Sequence, residues 1–274
     1  MNCFKSFILL FNILIVFVIS NNVFASKTIT ILAENDCPYS CTSQNETGNG
    51  FIQDILRAIF EKYDFNVKFQ ITPWLRSLHN FNNKASSVDG MIGMKVHPVK
   101  KELALFPEEE IARYTHRLYA LKNSSIIKTW KYQGVTSLKD FKIGSMKGWS
   151  YCDKDITQYL NEGSEPYVQA LSSEAGTELN FKKLLAGRID IWIANLTNTE
   201  YFLLKEKEAG NTSVDKIIGF FDIPITNEVN VYPIFYNNDE GRKYIEIFTI
   251  GIRELRKSGE LEKIMKKYGL TDWK

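Results

Sequence analysis

Residues Ser172 to Asn195 read SSEAGTELNFKKLLAGRIDIWIAN. Leu179, Phe181, Leu184 and Leu185 recur at helical spacing. Gly187 supplies the left-handed residue that ends a helix, and Ile189 to Ala194 is an apolar run of strand length. A strand this apolar needs cover on both faces, which points to a sheet flanked by helices. Ligands of such sheets sit beyond the carboxyl ends of the strands, here Asn195, Thr197 and Asn198. Pro73 to Met94 follows the same order: a helix with Trp74, Leu75 and Leu78, a polar turn, then a strand from Gly90. Two such units in separate halves of the chain predict two α/β lobes.

Around these units the alternation of elements continues. Thr28 to Ala33 reads as a strand, and Phe51 to Tyr63 as an amphipathic helix with Asp54, Arg57, Glu61 and Lys62 on its polar face. Val67 to Ile71 reads as the next strand. Leu138 to Ser145 opens the second lobe with a strand. A helix over Asp153 to Leu160, a strand over Tyr167 to Ala170 and a helix over Thr199 to Ala209 follow. Val229 to Tyr236 returns as a strand to the first lobe, and the tail from Asp239 to Tyr268 is two helices broken at Ser258 and Gly259. The expected lobes are therefore residues 26–114 plus 229–274, and residues 115–228, joined by two crossings.

The 274 residues are 44% hydrophobic and 24% charged, a composition that excludes disorder and supplies a core for two small lobes or one large one. Lys5, the apolar run Phe7 to Ile19 and the small residues near Ala25 give residues 1–25 the form of a signal peptide. That run is too short for a spanning helix. Of 34 Lys and Arg side chains only Lys5 precedes Ser26, so the remainder nearly balances 32 Asp and Glu. Nucleic acid is not an expected partner. Export permits oxidation of Cys37, Cys41 and Cys152. A local Cys37–Cys41 disulfide is the first reading, with free thiols or a Cys37–Cys152 tie between lobes as alternatives. Cys-x3-Cys has no paired cluster downstream, and His79, His97 and His116 are scattered, so no metal or cofactor is expected. The chain has no nucleophile elbow, phosphate loop or zinc motif. The acidic pairs Glu34 with Asp36 and Asp153 with Asp155 read as solvated or helix-capping carboxylates.

The segments GFIQDIL at Gly50 to Leu56, VDGMIGM at Val88 to Met94, LLAGRIDIWIAN at Leu184 to Asn195 and ELRKSGELEKIMKKYG at Glu254 to Gly269 stand in one order behind a signal-like start. Together they resemble the family 3 extracellular solute-binding proteins, receptors of ABC importers for polar amino acids and related solutes. The resemblance implies a two-lobe, periplasmic-binding-protein-like type II fold that closes over a small-molecule solute and presents it to a membrane permease. It implies a periplasmic monomer that is not an enzyme. The same fold also hosts dehydratases of small carboxylic acids and sensor modules for membrane signalling proteins, which are the alternatives.

By position in the family pattern, Tyr39 and Trp74 are the stacking residues, with Arg76 a charge candidate one step along the helix. The arginine that grips an α-carboxylate falls on Lys101 or its neighbour Lys100, beyond Lys95, and the small hydroxyl residues before it are missing. The acidic residue that meets an α-amino group falls on Asn195. Gly148-Trp149-Ser150 keeps a glycine turn whose amides suit an anion, but places a tryptophan where a small hydroxyl residue is usual. Tyr39, Trp74, Arg76, Lys95, Lys101, Trp149, Ser150 and Asn195 are thus the expected ligand set. The substitutions imply a less cationic or more aromatic solute than a free amino acid.

Overall fold

The computed structural model describes residues 27–42, 49–95, 98–227 and 229–274. The expected signal peptide lies outside these residues. Eleven strands form two mixed sheets among the described residues. The first contains β1 (Lys27–Ala33), β2 (Phe65–Ile71), β3 (Gly90–Gly93), β4 (Ala104–Leu105), β5 (Ala112–Arg113) and β11 (Asn230–Tyr236) in the order β2-β1-β3-β11-β4, with β5 also on β11. The second contains β6 (His116–Leu121), β7 (Ile143–Met146), β8 (Val168–Leu171), β9 (Ile191–Asn195) and β10 (Ile217–Asp222) in the order β10-β6-β9-β7-β8. In each sheet three parallel neighbours carry antiparallel additions: β11 on β3, and β6 on β9.

Helices α1 (Phe51–Phe60), α2 (Trp74–Asn82), α7 (Asp239–Ser258) and α8 (Glu260–Lys266) accompany the first sheet. Helices α3 (Ile126–Thr129), α4 (Lys154–Glu162), α5 (Gly176–Leu185) and α6 (Leu196–Glu208) accompany the second. The core of the first lobe forms where Ile52, Ile55, Leu56 and Ile59 of α1 meet Phe248, Ile252 and Leu255 of α7 over Ile29 and Ile31. All nine are essentially solvent-free. At roughly 1.5–3 kcal/mol for each fully buried side chain, this stripe outweighs any helix propensity in the sequence.

The chain passes between the sheets twice, from β5 to β6 and from β10 to β11. The two passages are stitched together, because the Tyr114 amide donates to the Val229 carbonyl at 2.8 Å and the Ile223 amide to that of His116 at 2.9 Å.

Several elements depart from the sequence expectations. The second sheet opens with β6, and the strand expected over Leu138 to Ser145 is confined to Ile143–Met146, since Thr136–Leu138 makes a 3-10 turn instead. Strand β10 had no counterpart in the reading. In α5 the buried residues are Gly176, Asn180, Phe181 and Leu184, while Leu179 is exposed. The helix turns Asn180 inward, where its side-chain amide donates to the Ser145 carbonyl. Gly187, with φ +66°, ends the helical segment as its conformational freedom predicts.

Candidate functional site

Beyond the carboxyl end of β1 the chain folds back sharply. Asp36 and Ser40 exchange backbone hydrogen bonds at 2.8 and 3.1 Å, and the carbonyls of Pro38 and Tyr39 accept the first amides of α1. Orphan amides at a helix start need partners, so this loop is pinned onto α1. Cys37 and Cys41 are joined by a disulfide, whereas Cys152 is a buried free thiol. The Cys37–Cys152 tie is therefore absent.

On the opposite lobe, β7 ends in the turn Lys147–Ser150. Asn161 of α4 fixes it from below, accepting from the Gly148 amide at 2.8 Å and donating to the Trp149 carbonyl at 3.0 Å. The Gly148 amide of this turn is thus already taken by a side chain. Gly148 has φ +77°, and a side chain there would meet Leu75 of the other lobe at 2.6 Å.

The two ends face one another across a cavity lined by Glu34, Asp36, Tyr39, Ser40, Trp74 and Tyr114 from the first lobe and its crossing, and by Trp149 and Ser150 from the second. Ala33, Ile52, Ser77, Ile92, Gly93, Met94 and Val231 complete the wall. Hydrogen bonds among the described residues span the lobes, including Trp74 Nε1 to the Gly148 carbonyl at 3.0 Å, Trp149 Nε1 to Glu34 Oε2 at 3.1 Å, and Asn198 Nδ2 to the Cys37 carbonyl at 2.8 Å. Trp149 also packs on the apolar clusters of both lobes.

Of the expected ligand residues, the structure brings Tyr39, Trp74, Trp149 and Ser150 to this cavity. Arg76 is exposed on α2, outside the cavity wall. Lys101 is exposed in a 3-10 turn, and Lys95 lies over the Tyr232 ring at 4.6 Å, so neither lines the cavity. Asn195 is buried and caps α6, accepting from the Asn198 amide at 3.0 Å. Its side chain lies beside the Tyr39 hydroxyl, behind the cavity wall.

Glu34 and Asp36, which the sequence alone presents as solvated or helix-capping carboxylates, join the cavity wall. Both line the cavity, and Asp36 is buried. Loss of solvation pushes Glu34 up to about 8, with the nearby Asp36 charge adding to the effect and the Trp149 indole opposing it. Loss of solvation likewise raises Asp36 to about 7, against the pull of the Tyr114 hydroxyl. The pairing of an acidic residue at the end of the first strand with a second one two positions on was the available signal. Only tertiary burial gives it meaning. Among the described lining residues no side chain is cationic.

A second polar cluster lies behind the crossing. His116 Nδ1 is 3.1 Å from Cys152 Sγ. Burial raises the thiol to about 11 and lowers the imidazole to about 3. Both are neutral near pH 7, so the pair does not form the thiolate that nucleophilic catalysis needs.

Two lobes of mixed sheet, two stitched crossings and a cavity between strand ends define a type II binding-protein fold. The family model of the bacterial extracellular solute-binding proteins, family 3, matches residues 29–271, and the chain belongs to that family. No curated protein matches by sequence. Among solved structures, a histidine kinase sensor domain with similarity to periplasmic binding proteins superposes with TM-score 0.69 at 18% identity, over 91% of this chain and 99% of that one. The arginine-, lysine-, histidine-binding protein ArtJ from the thermophilic bacterium Geobacillus stearothermophilus gives 0.66 at 17% identity, covering 90% and 97%. The substrate-binding protein of an amino acid ABC transporter gives 0.65 at 17%, covering 88% and 98%. At these identities the likeness is one of fold.

Proposed function

We propose that the chain is an exported, periplasmic receptor that captures a small polar or aromatic solute between its lobes and delivers it to the permease of an ABC importer, without chemical change to the solute. The observation that carries this reading is the cavity bridged by Trp74, Trp149 and Asn198, each of which reaches a group on the other lobe. A polar solute leaves water readily only where donors, acceptors and rings replace its hydration. A cavity assembled from both lobes couples that replacement to closure, and a partner that reads the closed shape reads occupancy. The sequence-derived cleft set narrows here to Tyr39, Trp74, Trp149 and Ser150, joined by Glu34, Asp36, Ser40 and Tyr114.

The test is thermal unfolding of the chain from Ser26 against amines, amino acids, organic acids, sugars and short peptides. A bound solute at about 100 times its Kd adds about 2.7 kcal/mol. Recovery of that solute intact supports a receptor, and its consumption overturns the reading in favour of an enzyme.

The sensor-domain likeness favours a second reading, in which the closed form is read by a membrane signalling protein. Capture of a kinase instead of a permease by the solute-loaded chain selects it.

A further inference from the structure

The cavity wall has an unbalanced chemistry. Two carboxylates, Glu34 and Asp36, face it together with the rings of Tyr39, Trp74, Tyr114 and Trp149, and no described lining side chain carries positive charge. Ser40 adds an independent sign of a ligand. It is 4% exposed, it lines the cavity, and its hydroxyl has no hydrogen-bond partner among the described residues. A buried polar group without a partner calls for an explanation, and one set in a cavity wall is a place where a ligand can complete the bonding. From this juxtaposition we propose that the cavity selects an organic cation without a free carboxylate, a primary amine or guanidine on an aliphatic or aromatic body. The proposal rests on the solute-receptor reading above and names its substrate class.

An ammonium or guanidinium donates charge-assisted hydrogen bonds to Glu34 and Asp36 and a further bond to the Ser40 hydroxyl. Its positive charge is attracted to the negative faces of the aromatic rings, most strongly tryptophan. A free amino acid brings the same cation together with a carboxylate. That second charge is then held near two like charges in a site without a compensating cation, and this costs far more than the added contacts return. The raised pKa values of Glu34 and Asp36 agree: the pair is held away from water without a counter-charge in the wall, and a bound cation supplies one.

The test compares solutes that differ by the carboxylate alone. Agmatine is titrated against arginine, and tyramine against tyrosine, by calorimetry on the chain from Ser26 at mildly alkaline pH, with glucose as a neutral control. The expected result is that at least one amine binds about tenfold or more tightly than its amino acid, and that Glu34→Gln and Asp36→Asn each lose about tenfold of that affinity. Melting of both variants without solute checks that they fold. Should either variant fail to fold, the paired solutes on the unaltered chain decide alone. An amino acid that binds as well as its decarboxylated partner, or glucose binding as well as either amine, overturns the cation assignment and leaves solute capture standing. Absence of binding by all five overturns this proposal. The receptor reading falls only if the wider solute panel above also fails.

Discussion

Glu34 serves two structures at once, ending β1 in one lobe and accepting the indole N–H of Trp149 from the other. Its raised pKa and that of Asp36 have a definite sign in the stability of the chain. Folded, the two carboxyls hold protons that the unfolded chain has released above about pH 4–5. The folded form therefore binds more protons, and stability without solute falls as pH rises from about 5 towards 8. A melting series over that range should show the decline, and Glu34→Gln should flatten it. Affinity for a cation runs the opposite way, rising over the same range because binding favours the ionised carboxylates. Trp149→Phe keeps a ring and removes one donor. We expect a loss of about 1–3 kcal/mol in solute binding, read by calorimetry, since the lost bond goes to an ionisable group.

At the scale of elements, the sequence was legible wherever one face of a helix decides burial. The stripes of α1 and α7 were read in place, and so was the interruption at Gly259. Strand β10 escaped because IIGFFD has neither alternation nor a turn signal, and only its antiparallel pairing with β6 makes it a strand. The two cavity tryptophans were readable from their places after strand ends. The acidic pair was not, because a carboxylate two residues past a strand looks the same in sequence whether it meets water or a tryptophan. Lys101 shows the converse: the family pattern puts a ligand contact at it or at Lys100, but the 3-10 turn of Lys101–Leu103 leaves it exposed. Helix α4 offers a test of local design. Asp153 caps it by accepting from the Ile156 amide at 2.9 Å and also holds Thr226 of the second crossing at 3.0 Å. Asp153→Ala should cost about 1–2 kcal/mol in urea unfolding. Gly148→Ala, placed at positive φ against Leu75, should weaken solute binding more than it lowers the melting temperature, because the clash exists only when the lobes meet.

For the whole molecule, the paired crossings limit how the lobes can move. Two strands of chain held side by side by the Tyr114 to Val229 bond resist twisting more than bending, which favours a hinge over a swivel for the closure proposed above. Small-angle scattering should show a smaller radius of gyration with a bound solute than without. Trp149 gives this motion a consequence of another kind. Its ring touches the apolar clusters of both lobes and its N–H ends on Glu34, so the proposed opening would strip one side of the indole and bathe it in water. On that motion the protein would carry its own optical gauge: the Trp149 share of the emission from five tryptophans should shift as the gap opens, with no dye attached and no partner present.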